Sequence, residues 1–336
     1  MKRLDDIYSN LCKLDTLEQA ERKARRGKEK TRGVIAFDRH RDDYLRQLQQ
    51  DLINGTFKTS KYHIFKVFEP KERDIYELPY YPDRIVHHAI MLVLGKMFAN
   101  YFESNTYSSI PGKGGSALRD RMVRILKKDK EGTRFALQMD VHKCFNSINH
   151  QILKDLLKRK IKDGRMLALL YEIIDSAEGL PIGNYLSQTL ANFYFGRLDT
   201  HFASRYYFRY TDDIVILSAS KEQLHEDLTI IRSYMVRLRL QLKPNWQIYP
   251  VDARGIDYAG YVFFHGYTLI RKRIKINLLR TIKRYADAPL PVLKSHLGGY
   301  CGWLMYTNSI NFNKKYKILW KHVPQCPCPP SFLKKA

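Results

Sequence analysis

Three features of the sequence predict an α+β fold with antiparallel strands. The run from Tyr206 to Leu217 has aromatic and β-branched residues on both sides of Thr211-Asp212-Asp213, the composition of two short strands joined by a tight turn. The segment Phe135 to Asp140 alternates Phe135, Leu137 and Met139 with Ala136, Gln138 and Asp140, which reads as a strand ending on an acid. Around these strands apolar residues recur at helical spacing, as in Tyr44, Leu45, Leu48 and Leu52, or Ile152, Leu153, Leu156, Leu157 and Ile161.

Composition narrows the class of partner. The 336 residues are 44% hydrophobic and 27% charged, as expected of a globular chain with one large or two to three smaller lobes. Lys and Arg number 58 against 34 Asp and Glu, a formal charge of +24, which favours a polyanion: nucleic acid or an acidic membrane. No run of eighteen apolar residues is present, and Met1-Lys2-Arg3-Leu4-Asp5-Asp6 lacks the apolar core of a signal peptide. The expectation is therefore nucleic acid in the cytoplasm and no membrane. Cysteines at 12, 144, 301, 326 and 328 are odd in number and scattered, which argues against a disulfide framework. Cys326-Pro327-Cys328 with His322 lacks a second ligand pair, so no zinc site is expected there.

Taken in order, the chain opens with a basic cluster, Arg22, Lys23, Arg25, Arg26, Lys28, Lys30 and Arg32. It reads either as a solvated helix face with a mobile linker at Gly27 to Gly33 or as a basic arm on phosphate. A helix over 41–53 ends at Asn54-Gly55. Tyr62 to Leu78 alternates as a hairpin turning at Glu69-Pro70-Lys71-Glu72, and Arg84 to Leu94 is a largely buried helix. His87-His88 reads as packing, because adjacent helical positions point about 100° apart. Pro111 to Ser116 is a Gly-rich loop without Walker spacing, opening a basic helix from Ala117 to Lys128. Ser187 to Phe202 and Lys221 to Leu240 are helical. Tyr258 to Phe264 reads as one strand whose Gly260 allows close backbone approach. Residues 271–284 carry seven Lys and Arg and no acid. From Ser295 a helical pattern is broken by Gly298, Gly299 and Gly302.

The acids carry the chemistry. Asp140 ends one strand and Asp212-Asp213 lies between two others, so an antiparallel sheet can bring three carboxylates together. Acids that close repel and hold protons unless cations neutralise them. Hard oxygen ligands of this kind suit Mg²⁺ shared with substrate phosphates. Two ions ~3.5–4 Å apart activate an attacking hydroxyl and stabilise a leaving pyrophosphate. Asp is also a turn residue, so Tyr210 to Asp213 alone is compatible with a solvent-facing hairpin tip. The basic excess supplies the substrate that makes nucleotidyl transfer the reading.

The ordered set Asp140-x4-Phe145, Gly183-Asn184-x2-Ser187-Gln188 and Tyr210-Thr211-Asp212-Asp213 resembles the palm of a reverse transcriptase. The likeness runs from Lys71 and Arg73 and Arg84 to Ala89, through Tyr258 to Tyr261 at the primer-grip position, to Gly299 to Leu304, over roughly residues 10–315. Within that superfamily Ile182-Gly183-Asn184-Tyr185-Leu186-Ser187-Gln188 resembles the enzymes of bacterial and phage diversity-generating retroelements. Group II intron enzymes usually carry a Gln-Gly and Ser-Pro pattern instead, while retron and abortive-infection enzymes share much of the order.

The resemblance implies a right-hand polymerase with an antiparallel palm sheet and a helical thumb. Its expected boundaries are an N-terminal basic region and fingers at 1–95, fingers continued at 96–134, palm at 135–265, and thumb with tail at 266–336. It implies metal binding by Asp140, Asp212 and Asp213 with the backbone carbonyl of Val141, using two Mg²⁺ ions for which Mn²⁺ can substitute. Lys71 and Arg73 would reach the incoming triphosphate. Phe145 would be the gate that excludes a 2′-hydroxyl, its alternative being a core aromatic. Ile182, Gly183 and Gln188 would line the nucleotide and template floor, and Lys243 would sit near pyrophosphate or at the surface. The implied partners are template RNA, a primer or cDNA strand, deoxynucleoside triphosphates and a small basic helical accessory oligomer. The implied activity is RNA-directed DNA synthesis, error-prone at template adenines, in a bacterial or phage-infected cytoplasm. A catalytically silent RNA-binding scaffold is the reading from a different class.

Overall fold

The computed structural model describes residues 3–68, 72–285 and 288–308, and in it helices and strands follow the sequence periodicities closely. Helices α1 (Tyr8–Leu11), α2 (Leu14–Ala24), α3 (Arg32–Asp38) and α4 (Arg41–Asn54) precede a hairpin, β1 (His63–Val67) and β2 (Arg73–Glu77). Then come α5 (Ile85–Tyr101), α6 (Gly115–Lys128), β3 (Phe135–Asp140), α7 (His150–Lys158), α8 (Gly164–Ile174) and α9 (Ser187–His201). The chain continues through β4 (Tyr206–Tyr210), β5 (Asp213–Ser218), α10 (Lys221–Arg237), β6 (Gln247–Pro250) and α11 (Val251–Arg254). It closes with β7 (Ile256–Tyr258), β8 (Tyr261–Phe263), β9 (Thr268–Ile270), α12 (Lys272–Arg284) and α13 (Leu290–Leu304). Strands β4-β5-β3-β6 form one sheet in that order, in which β3 and β6 are antiparallel with Phe135 opposite Pro250.

Two compact units divide the chain, the first comprising residues 1–112, 139–214 and 226–246. In it, local side-chain chemistry sets the helix ends. Asn149 accepts from the Ile152 N–H to start α7. The Asp163 carboxylate caps two helices, accepting from Met166 N–H of α8 and from Ile7 and Tyr8 N–H at α1. Helix α4 ends where Gly55, at φ 69°, enters the left-handed region and donates back to Asp51 and Leu52, as Asn54-Gly55 predicts.

The basic stretch after α2 is not the mobile linker that one of its two sequence readings expects. Glu21, 1% exposed, accepts from Arg25 Nε at 2.6 Å and from the Tyr80 hydroxyl at 2.6 Å. Arg25 Nη2 reaches Asp38 at 2.6 Å, so one guanidinium joins the end of α2 to α3. Residues between them form tight turns, with Lys28 N–H on Arg25 O at 2.8 Å and Thr31 N–H on Lys28 O at 2.9 Å. With Arg41 Nε also 3.6 Å from its carboxylate, this buried acid has three polar partners and makes the segment a fixed corner.

The second unit comprises residues 113–138, 215–225 and those from 247 onward. Its small sheet has the order β7-β8-β9. Ile270, Leu278, Leu293, Leu297 and Leu304 form a buried cluster with Ile274, Ile282, Tyr300 and Trp303 against it, which is the apolar stripe of α12 meeting α13. The single strand expected at 258–264 is a hairpin. Ala259 (φ 47°) and Gly260 (φ 89°) form its two-residue turn, with both central residues in the left-handed region. The close neighbour of Gly260 is the Trp303 indole, 2.3 Å from where a Cβ would stand. Nor do Gly298, Gly299 and Gly302 break the C-terminal helix, because α13 runs through all three. Cys326, Cys328 and His322 lie outside the described residues. Among those described, no helix is long and apolar enough to cross a membrane.

Replacing Gly260 by alanine is expected to lower stability by about 1–3 kcal/mol, from left-handed strain and the Trp303 contact together. A chemical or thermal unfolding curve that matches the native one would show that the hairpin does not depend on this glycine.

Candidate active site

All the described residues of the candidate site belong to the first unit. Asp140 is the last residue of β3, and Thr211-Asp212 is the turn between β4 and β5. The Val141 N–H donates to Asp212 O at 3.2 Å, which fixes the strand end beside the turn. On the other side Lys243 N–H donates to Asp140 O at 2.8 Å, and Val141 bridges Leu242. Among the described residues the Val141 carbonyl accepts no hydrogen bond.

Charge gathers at this point. Lys243 Nζ forms an ion pair with Asp140 Oδ1, a buried atom. Burial first, and the Asp140 carboxylate second, push the Asp212 carboxyl above the usual range, against Lys243 and Arg73, which pull it down. Two carboxylates brought together at a strand end and a turn are hard oxygen donors of the kind that suit a divalent cation. Among the described residues no group of three His, Cys, Asp or Glu is gathered as a complete metal set. Asp213 begins β5, half-buried and one residue along the strand from the turn.

The turn itself rests on a buried network that the sequence reading did not single out. Arg209, 0% exposed, donates to both oxygens of Asp199, from Nε at 2.7 Å and Nη2 at 2.5 Å. Burial works against its charge, and the Asp199 carboxylate outweighs that and raises its pKa. Arg209 Nη1 donates to Asn192 Oδ1 at 3.1 Å and to the Thr211 carbonyl at 2.9 Å. Thr211, at φ 58°, is thereby held in a conformation that a non-glycine residue rarely adopts. Its hydroxyl donates to Ser108 Oγ at 2.9 Å and accepts a long contact from Gln188 Nε2 at 3.4 Å. The available signal was an arginine within Tyr-Tyr-Phe-Arg-Tyr, a charge in a strand otherwise suited to full burial.

The remaining expected residues take up distinct places. Phe145, half-buried, lies in the turn after β3, where its carbonyl accepts from Leu180 N–H at 2.8 Å. Ile182 O accepts from Tyr76 N–H at 2.7 Å, which ties the loop before α9 to β2. Gly183 (φ 111°) has Tyr76 O 2.9 Å from where a Cβ would stand, so the backbone it admits is that of this chain's own β2. Arg73 is exposed at the start of β2, close enough to act on Asp212. Lys71 lies outside the described residues.

Next to Gly183 opens a hollow of about 700 Å³ lined by Lys28, Arg32, Lys61, Phe65, Arg84 and Tyr185, among others. Tyr185 stacks on His88 with ring centroids 4.0 Å apart. Burial holds His87 down to about 3 and His88 to about 4, so the histidine pair is neutral packing, as its helical spacing implies.

The family model described as reverse transcriptase (RNA-dependent DNA polymerase) matches residues 71–263, and the chain belongs to that family. Its architecture is accordingly that of a right-hand polymerase. The group II intron-encoded protein LtrA of Lactococcus lactis is 25% identical over 185 residues, 50% of this chain and 30% of LtrA. Protein YkfC of Escherichia coli is 21% identical over 294 residues, covering 71% of this chain and 74% of YkfC. Telomerase of Candida albicans, solved with a fragment of telomeric RNA, aligns over 84% of this chain and 61% of its own at a TM-score of 0.48 and 10% identity. The chain thus spans less than a third of the length of LtrA.

Asp199→Asn is expected to cost about 3–5 kcal/mol, because it leaves Arg209 buried without a counter-charge. A melting temperature within a degree of native would show that the pair does not support the turn.

Proposed function

We propose that this chain is an RNA-directed DNA polymerase that extends a primer or cDNA strand along a template RNA with deoxynucleoside triphosphates. The observation that carries the reading is the facing pair Asp140 and Asp212, bonded side by side through Val141 in a chain of the reverse transcriptase family. Asp140, Asp212 and Asp213 with the Val141 carbonyl would hold two Mg²⁺ ions, or Mn²⁺ in their place. When bound, these supply an activated primer hydroxyl and a stabilised pyrophosphate.

The protein's own groups do the rest. Arg73, with Lys71, neutralises the incoming triphosphate, and Lys243 offers a cation to the departing pyrophosphate. The Phe145 ring excludes a ribose 2′-hydroxyl. Ile182, Gly183 and Gln188 border the nucleotide and template, and the basic and aromatic hollow beside Tyr185 suits the single-stranded template ahead of it. Basic residues of α12, Lys272, Arg273 and Lys275 among them, grip the duplex backbone without regard to sequence.

Within the family we assign the chain to the diversity-generating type, with misincorporation opposite template adenines and a small basic helical accessory oligomer, in a bacterial or phage-infected cytoplasm. The motif Ile182 to Gln188 supports this. A second reading, a group II intron-type enzyme, is favoured by the likeness to LtrA.

Asp213→Asn is expected to abolish extension of a primed RNA template while RNA affinity stays within a few fold, since phosphate contacts elsewhere dominate binding. Near-native extension by the variant would remove the metal assignment. Native protein that binds RNA yet extends no primer with Mg²⁺ or Mn²⁺ would leave the silent scaffold.

Sequencing cDNA copied from a mixed-base template, with any accessory protein supplied, is expected to show errors concentrated at template adenines. A uniform spectrum over the four bases would leave the intron-type reading.

A further inference from the structure

The first unit carries a second concentration of positive charge away from the candidate active site. A hollow of about 440 Å³ opens where α5, α7 and α9 end and α10 passes, lined by Tyr101, Arg159, Lys160, Arg197, His201 and Tyr234, among others. Helix α9 measures the separation. Gln188, in contact with the catalytic turn, and His201, at the hollow, stand thirteen residues apart on it, or about 20 Å at 1.5 Å per residue. No nucleotide at the carboxylates reaches that far.

The walls of the hollow are organised. The Tyr101 ring lies directly on α9 at Gly196, where a Cβ would come within 2.1 Å of it, so the glycine makes room for the ring. Lys160 Nζ sits 4.9 Å from the centre of that ring; burial raises the pKa of its hydroxyl, and Arg197 and Arg159 lie close enough to act against that rise. Elsewhere in the lining the His201 and Tyr234 rings are 5.5 Å apart, and Arg237 lies 5.6 Å from the Tyr234 ring centre.

No described acid is ion-paired to these cations. Among the described residues Arg159, Lys160 and Arg197 have no ion-pair partner. The neighbouring acids are engaged elsewhere: Asp199 is buried on Arg209, and Glu103 accepts from the Thr200 hydroxyl at 2.9 Å. Cations at helix C-termini do gain from the helix dipole. That accounts for one cation at the end of one helix. It does not account for three from two helices converging on a hollow between aromatic walls, where like charges repel.

We propose that this hollow is a phosphate-binding surface that docks the backbone of a folded RNA segment outside the primer–template cleft. The proposal rests on the reading of the chain as an RNA-templated polymerase. Guanidinium groups take phosphate oxygens in pairs, and flanking rings offer stacking to an unpaired base or ribose. The concave form, sized for a nucleotide, suits a strand lying in it better than a flat bilayer surface. A template RNA held here stays anchored while its copied region moves through the active site 20 Å or so away along α9.

The test compares native protein with Arg159→Gln/Lys160→Gln/Arg197→Gln, and with the corresponding triple Glu variant. Extension of a short primed RNA oligonucleotide is expected to remain native. Affinity for a long folded RNA is expected to fall roughly tenfold in the Gln variant and further in the Glu variant, with the log–log salt slope reduced by about 0.7–0.9 for each lost contact. Unchanged affinity and slope for folded RNA overturn the proposal and leave the cations as helix-end stabilisers, which a lowered melting temperature would register. Equal loss for the short primed oligonucleotide also overturns it, since the surface would then belong to the main cleft. Loss of binding to anionic phospholipid vesicles with RNA affinity intact would assign the surface to a membrane instead. If native protein extends no primer at all, the polymerase reading fails, while the folded-RNA measurement still reports on this surface.

Discussion

The buried pair of Arg209 and Asp199 is the constraint on which the candidate active site depends. Both residues are almost wholly excluded from solvent, and their charges are tolerable there only because each satisfies the other and the remaining hydrogen bonds are made. Tyr207 and Thr106 hydroxyls complete the Asp199 carboxylate, and Asn192 and the Thr211 carbonyl complete the guanidinium. A network satisfied at every member has one arrangement of low energy, so the strained Thr211 stays where the network places it. Asp212 follows directly in the chain, and its position against Asp140 is inherited from that buried pair.

A second tension lies in the site itself. Asp140 and Asp212 are brought together by backbone bonds through Val141, and burial makes their mutual repulsion worse. Lys243 offsets part of it, held beside Asp140 by its own backbone N–H as well as its ammonium. The protein thus holds carboxylates poised for a cation and keeps a lysine within reach of the same oxygens. Arg73, more exposed, extends the positive side toward solvent, where a triphosphate would arrive. Charge elsewhere serves association: a formal excess of +24 attracts a polyanion over distances of about a Debye length.

Much of the architecture was legible because it rests on periodicity and on local chemistry. The helix from Arg41, its stop at Gly55, the strand ending on Asp140 and the hairpin around Thr211-Asp212 depend on residues within a few positions of one another. Readings failed where a distant side chain decided the outcome. Gly260 reads as a strand residue until Trp303, forty-three positions on, is seen against it in a left-handed turn. The segment after α2 reads as a mobile linker or as a basic arm, and Glu21, buried under Tyr80 and Arg25, makes it a corner. The freedom of Gly183 serves strand β2, which is over a hundred residues earlier.

The sequence by itself determined the identity of the acids, their strand-end and turn positions, the excess of positive charge and the family to which the chain belongs. These are properties of residue order, and order alone is enough to carry them. Only the tertiary structure decided which charges would meet. It set Lys243 on Asp140, buried Arg209 against Asp199, and drew Arg159, Lys160 and Arg197 to one hollow where no described acid pairs with them. The physical reason is that electrostatic energy depends on distance and burial, and neither can be read from spacing along the chain.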